Sequence, residues 1–302
     1  MNANAEIESG IEQINRRIWE LWRDYPREAG PIAARFAARP KTQDTLLFLG
    51  LNPAFPEEHK IDGTCREWIV LKSRMVQLGL LSQNDDYRKA VCWKSIETVL
   101  KKPGATKEKI VTLIADIHHD ARWFYGKRWF KRLNDLAMNL GVQVEDYGHV
   151  DLYLWSDSNS KLIEERVKNF ALNEFVRRQE DLTLQLLAIH RPRMIVCTYK
   201  NVWSALSELC KKRDIPLGER DRRVLVLRSP ESQESSERLE AEIELGNAEF
   251  KWTDKVKVPI ISCPNLLSRR NNKLKDEHLP AFVRAAKKCW EERDCRSFQF
   301  SC

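Results

Sequence analysis

The chain has 302 residues, 42% hydrophobic and 31% charged, a balance that fits a folded globular protein and excludes an intrinsically disordered one. Its formal net charge of +7 favours a polyanionic partner without specifying which. No uninterrupted apolar run approaches the roughly 18 residues of a membrane helix, and Met1-Asn-Ala-Asn-Ala-Glu6 lacks the basic and apolar regions of a signal peptide, so a cytoplasmic address and no membrane partner are expected.

Ile7, Ile11, Ile14, Ile18 and Leu21 recur at helical spacing and predict an amphipathic helix over 6–24 that docks on the core. The first strand, 45–51, is apolar throughout, as burial on both faces requires, and opens abruptly into Gly50-Leu51-Asn52-Pro53. Helices are predicted at 65–79, 84–101, 106–119 and 127–140, the last ending at Gly141 as a C-cap. Within that stretch, Arg122-Trp-Phe-Tyr-Gly-Lys-Arg-Trp-Phe-Lys-Arg132 interleaves five basic with five aromatic residues, the composition of a nucleic-acid surface. Helical spacing offers the alternative that Trp129, Phe130 and Leu133 are core and the basic residues solvated. The adjacent His118 and His119 cannot face one metal from a helix, so no metal site is expected.

A second strand is predicted at 150–155, a helix at 161–190 leading to Arg191-Pro192, a third strand at 193–198 and a helix at 201–212. Residues 213–256 read as an insertion, with a β-like run at 223–227, a Ser/Glu-rich stretch at 229–240 and another possible strand at 249–252. Residues 229–236 are its best candidate for a mobile loop. The fourth strand, 258–263, ends in the polar turn Cys263-Pro264. A final helix at 276–293 carries Leu279, Phe282, Val283, Ala286 and Trp290 on one face.

This alternation predicts an α/β fold, a doubly wound α/β/α sandwich with a four-stranded parallel sheet, plus an N-terminal helix and insertions. The expected organisation is one domain over 1–302: a helical extension at 1–43, a core at 44–212 and 257–293, and the insertion at 213–256. The cysteines at 65, 92, 197, 210, 263, 289, 295 and 302 include no C-x-x-C pair and read as free, mostly buried thiols.

Two strand-end peptides carry a resemblance. Gly50-Leu51-Asn52-Pro53 resembles the "GxNP" water-activating loop of the mismatch-specific branch of the uracil-DNA glycosylase superfamily, and Pro264-Asn265-Leu266-Leu267-Ser268-Arg269 looks like that branch's "PSGLSR" DNA-wedge loop. The stretch 191–206 is similar to the superfamily's third strand and following helix, with Tyr199 where many members carry Gly. The likeness is poor over 56–149 and 213–256 and does not reach the N-terminal helix. It implies a monofunctional DNA glycosylase that flips a base out of DNA and hydrolyses its N-glycosidic bond, with DNA as partner, no cofactor and a monomeric state. Some branches hold a four-cysteine iron–sulfur cluster; the paired spacing that a cluster needs is missing here, and none is expected.

By resemblance, Asn52 would orient the attacking water; the alternative is a turn in which Asn-Pro simply ends the strand. Leu267 would fill the gap left by the flipped base, Arg269 and Arg270 would hold phosphates or the widowed base, and Ser268 a phosphate oxygen. Otherwise Leu266 and Leu267 are core and the arginines a solvated face. Cys263 stands where fast uracil enzymes have His and the mismatch branch has Asn, and a thiol is a weak donor; Asn265 follows it in the base-binding loop. Ala54 replaces a Tyr that closes the C5 side of the pocket in uracil-specific enzymes. These departures point to a pyrimidine with a bulky C5 substituent, as excised by some antiphage members of the superfamily. Phe55 stacks on the base or is simply buried. Ser156 and Asp157 follow the second strand where the family reads the base's polar edge, and Asp157 suits a cytosine amino group, although an exposed Asp-Ser-Asn turn also accounts for it. Glu57, Glu58 and His59 fit a surface better than a pocket. The competing functions are a catalytically silent sensor of modified bases and a plain uracil or mismatch glycosylase. An α/β hydrolase is disfavoured by the lack of a G-x-S-x-G elbow, and no lysine is nominated for a Schiff base.

Overall fold

The computed structural model describes residues 3–38, 45–51, 66–124, 130–155, 165, 167–168, 174–198, 200–217, 221–227, 239–248, 258–262 and 272–292. They fall into two compact units. Unit 1 takes in Met1–Arg39, Asn52–Lys131 and Tyr153–Ile189; unit 2 takes in Pro40–Leu51, Arg132–Leu152 and His190–Cys302.

In unit 1, α1 (Ala3–Asp24) is the amphipathic helix expected from its spacing. Ile11, Ile14, Ile18 and Leu21 are buried, joined by Trp19 and Trp22. Trp22 packs on Phe175 of α7 (Glu174–His190) with ring centroids 5.0 Å apart, and Trp155 meets the same ring at 5.2 Å. α2 (Pro26–Ala29) carries the carbonyl of Glu28, which accepts from the Trp155 indole at 2.9 Å. Further helices are α3 (Arg66–Gln77), α4 (Trp93–Leu100) and α5 (Lys107–Phe124). The helix expected over 84–101 divides into a 3-10 turn (Tyr87–Lys89) and α4. Side chains are the cause: Asp85 accepts from the Ser82 amide at 3.0 Å and Asp86 from the Arg88 amide at 2.9 Å, offering the backbone turns instead of a ladder.

Unit 2 is built on a six-stranded sheet in the order β2-β1-β3-β6-β5-β4. β1 (Leu46–Gly50), β2 (Gly148–Asp151), β3 (Met194–Cys197) and β6 (Val258–Ser262) are mutually parallel, the four-stranded core of a doubly wound α/β fold. β1, β3 and β6 are buried along their whole length, as their continuous apolar sequences require. The insertion adds β4 (Asp221–Leu227) and β5 (Leu239–Ala248), an antiparallel pair that continues the sheet from β6. The β-like run thus forms β4. The other expected strand, 249–252, lies outside the described residues, as does 229–236; β5 starts at the end of the stretch read as Ser/Glu-rich and was not expected. Glu240, Glu242 and Glu244 alternate with Ala241, Ile243 and Leu245, a period of two.

The second strand also ends earlier than the predicted 150–155, at Asp151. Leu152 through Trp155 are buried; the Leu152 amide still reaches Gly50, but Leu154 serves other partners. The Leu154 carbonyl accepts from the Arg35 amide at 3.1 Å, and the Leu154 amide donates to Gln179 at 3.0 Å. α6 (Lys131–Asn139) ends as predicted at Gly141, whose φ of +75° frees the Val142 amide to donate to the Ala137 carbonyl at 2.9 Å. Phe130 and Leu133 are buried, so for these two the core reading of the aromatic segment holds. After β3 comes α8 (Lys200–Lys212); α9 (Asn272–Glu292) closes the described chain. The buried stripe of α9 is Phe282, Ala285, Ala286 and Cys289, whereas Val283 and Trp290 are half-buried. Trp290 instead anchors Arg193, its carbonyl accepting from both Nε and Nη2 and its ring lying 4.6 Å from that guanidinium. Cys197, Cys210 and Cys289 are buried free thiols, and burial pushes the Cys210 thiol up to about 12.

Candidate functional site

In the parallel part of the sheet the chain moves from β1 to β2 on one side, then to β3 on the other. This reversal makes the C-terminal ends of β1 and β3 the topological switch point, where open α/β sheets bind ligands. The edge is fixed by hydrogen bonds that continue past the strands. The Leu49 carbonyl accepts from both the amide and the hydroxyl of Thr198, each at 3.0 Å, and the Gly50 carbonyl accepts from the Leu152 amide at 3.0 Å. Leu51, the last described residue before the Asn52 motif, therefore leaves a strand held from both flanks.

Parallel register sets Phe48 beside His149 and Gly50 beside Asp151, so the four share one face of the sheet. Gly50 is glycine for a steric reason. A Cβ there would fall on Oδ1 of Asp151 and stand 3.1 Å from its Cγ and 3.5 Å from Nε2 of His149. Asp151 is 2% exposed, and a carboxylate so buried is held by partners. At the end of β6, Ser262 is fully buried, and its hydroxyl has no hydrogen-bond partner among the described residues. The opposite end of β2 is crowded in the same way: a Cβ on Gly148 would lie 2.8 Å from Nδ1 of His190.

Asn52, Ala54, Phe55, Ser156, Asp157, Cys263, Asn265, Leu267, Ser268, Arg269 and Arg270 all lie outside the described residues, as do Glu57, Glu58 and His59. What is described is where the chain enters their segments. Leu51 follows β1, Trp155 is the last of the four buried residues after β2, and Ser262 is the last residue of β6. The sequence motifs thus depart from the C-terminal ends of β1 and β6, and the third segment begins four residues beyond β2.

The sequence motifs do not include Asp151 and His149, which the register sets beside Gly50 and Phe48. In the sequence Asp151 stands out as an acidic residue inside Val150-Asp151-Leu152, an otherwise apolar run, two residues after a histidine. Among the described residues no group of three or more His, Cys, Asp or Glu is placed to hold a metal ion, and no helix is long and apolar enough to cross a membrane. Compared with known proteins, the chain matches no family model, no curated protein and no solved structure.

Proposed function

We propose that the chain is a cytoplasmic, monofunctional DNA glycosylase that flips a modified, C5-substituted pyrimidine out of DNA and hydrolyses its N-glycosidic bond, leaving an abasic site. The observation that supports this reading is topological. The segments bearing the Asn52 and Leu267 motifs leave the C-terminal ends of two parallel strands of one sheet, beside its switch point. In this reading Asn52 orients the water through its side-chain carbonyl, and the rate comes from positioning and electrostatics, because an amide is a poor base. Leu267 fills the stack, offsetting part of an unstacking cost of a few kcal/mol. Arg269, Arg270 and Ser268 hold the backbone, while Phe55, Ser156, Asp157, Cys263 and Asn265 line the base. The net charge of +7 suits DNA. Ala54 leaves the C5 side open, which favours hydroxymethylated or glycosylated cytosines and a role in antiphage defence or base excision.

The test is incubation with duplexes that each carry one uracil, thymine mismatch or C5-modified cytosine, followed by assay for abasic sites and free base. Abasic sites in at least one C5-modified duplex are expected. Release of plain uracil alone would assign the simpler glycosylase. Tight binding to a modified duplex with no base released from any would assign the sensor.

A further inference from the structure

We infer that unit 1 holds a binding site for a nucleotide, built from residues other than the strand-end motifs. The base lies in a cavity lined by α1, α2 and α4, and the phosphate meets the N-terminus of α4. The site goes beyond the glycosylase reading and does not depend on it, since nucleotide binding is measured without base release.

The cavity holds about 670 Å³, within the range of roughly 300–1,000 Å³ usual for small-molecule sites. Its described lining comes from 19–31 and 92–100, all in unit 1. Trp19 and Trp93 meet in a T-shaped pair at 4.8 Å, Trp22 follows Trp19 on α1, and Leu100 adds an aliphatic wall. The indole N–H groups of Trp22 and Trp93 are buried and find no acceptor among the described residues. Trp155 shows what such a group ordinarily does, donating to the Glu28 carbonyl at 2.9 Å. An orphaned buried donor costs stability, so two of them in the lining of one cavity point to an occupant that carries acceptors.

The polar part of the lining selects the class of that occupant. α4 begins at the cavity: Cys92, Trp93 and Lys94 all line it, and the Cys92 side chain makes no capping hydrogen bond. An uncapped helix start attracts an anion. The exposed Lys94 and Arg23 add positive charge beside it, Arg23 being shared with Asp24 at 2.8 Å. Glu97, one turn on from Lys94, is exposed too and brings a carboxylate to the same lining. A simple aromatic acid would answer the cations and leave Glu97 facing a like charge. A nucleotide answers every group: a flat base for the tryptophans, carbonyl oxygens and ring nitrogens for their N–H donors, and N–H groups for Glu97. Its phosphate serves Arg23, Lys94 and the helix start. Free nucleotides and unpaired nucleotides of a DNA strand share this chemistry.

Calorimetric titration of the full chain tests this with the deoxynucleoside 5′-monophosphates of A, G, C and T, the matching nucleosides, inorganic phosphate, and short single strands of each base. At least one monophosphate is expected to bind, with its nucleoside and inorganic phosphate each at least ~10-fold weaker. Leu100→Trp fills the cavity and Lys94→Glu reverses a charge at its edge; each should weaken binding at least ~10-fold. Trp93→Phe keeps a ring and removes the N–H, and should weaken it about fivefold. A strand that binds more tightly than its monophosphate, and loses that binding in the same variants, assigns the unpaired nucleotide; equal or weaker strand binding assigns the free one. Binding by none of these probes, or binding unchanged in either folded variant of Leu100 or Lys94, overturns the proposal. If Leu100→Trp does not fold, Lys94→Glu decides, because that side chain is exposed.

Discussion

At the scale of single residues, Gly50 and Ala54 are both small where a larger side chain would change the outcome, for opposite reasons. Gly50 makes room for a neighbour in the same protein, since its Cβ would fall on the Asp151 carboxylate. Gly50→Ala should therefore destabilise the protein by ~1–3 kcal/mol, the usual cost of overpacking, and Gly50→Ala combined with Asp151→Gly should recover most of the clash. Denaturant melts of the two single variants and the double variant check this; strictly additive losses would place the clash elsewhere. Ala54 makes room for the substrate in the proposed reading. Ala54→Tyr should suppress release of bulky C5-modified pyrimidines while sparing any activity on uracil, because a ring and a C5 substituent cannot share one space. Equal loss on every substrate would show that position 54 faces the core.

At the scale of elements, the ends of helices and strands carry the testable content. Glu174 opens α7 and accepts from Arg177 at 2.6 and 2.8 Å and from Arg178 at 2.8 Å. These hydrogen bonds lower its carboxyl from the ordinary 4.5 to about 2. A lowered carboxyl stabilises the fold above its unfolded value, and that contribution is lost as pH falls from about 4.5 through 2. Glu174→Gln should thus melt slightly below wild type at pH 7, with the gap closing below pH 4.5; a gap independent of pH would refute the assignment. In the segment after β6, Leu267→Ala should, in the proposed reading, impair cleavage of duplex far more than of single strands, since only a duplex has a gap to fill. A loss of ~2–5 kcal/mol in stability would instead identify a core leucine. Elements differ in how legible they were. β1, β3 and β6 stand out in the sequence because burial on both faces demands unbroken apolar runs. β5 does not, because Glu240, Glu242 and Glu244 give it the composition of a loop and only its alternation betrays a strand. The boundary of β2 was misplaced because Leu152–Trp155 are as apolar as a strand, yet beyond Leu152, whose amide still reaches Gly50, Leu154 and Trp155 bond to Arg35, Gln179 and Glu28 rather than to a ladder. The Asn52 and Leu267 segments were legible as motifs, whereas Asp151 and Gly50 gained meaning only from the register that pairs them.

At the scale of the molecule, a doubly wound sheet gives one edge where strand ends gather, and function follows from what leaves that edge. Here it carries a buried carboxylate at Asp151, a buried hydroxyl at Ser262 without a partner among the described residues, and the exits toward the Asn52 and Leu267 motifs. In the proposed reading the basic chain holds a phosphate backbone, and Arg269→Ala or Arg270→Ala should each flatten the salt dependence of DNA binding by about one counterion. The roles proposed for Asn52, Leu267, Arg269 and Arg270 all require that the protein hydrolyse a glycosidic bond. The most direct measurement compares wild type with Asn52→Ala on one C5-modified duplex, reading free base by mass spectrometry and affinity in parallel. Base release by the wild type is expected, with a loss of at least ~10²-fold in Asn52→Ala and nearly equal affinity for both. Equal release by the two proteins would contradict the glycosylase mechanism.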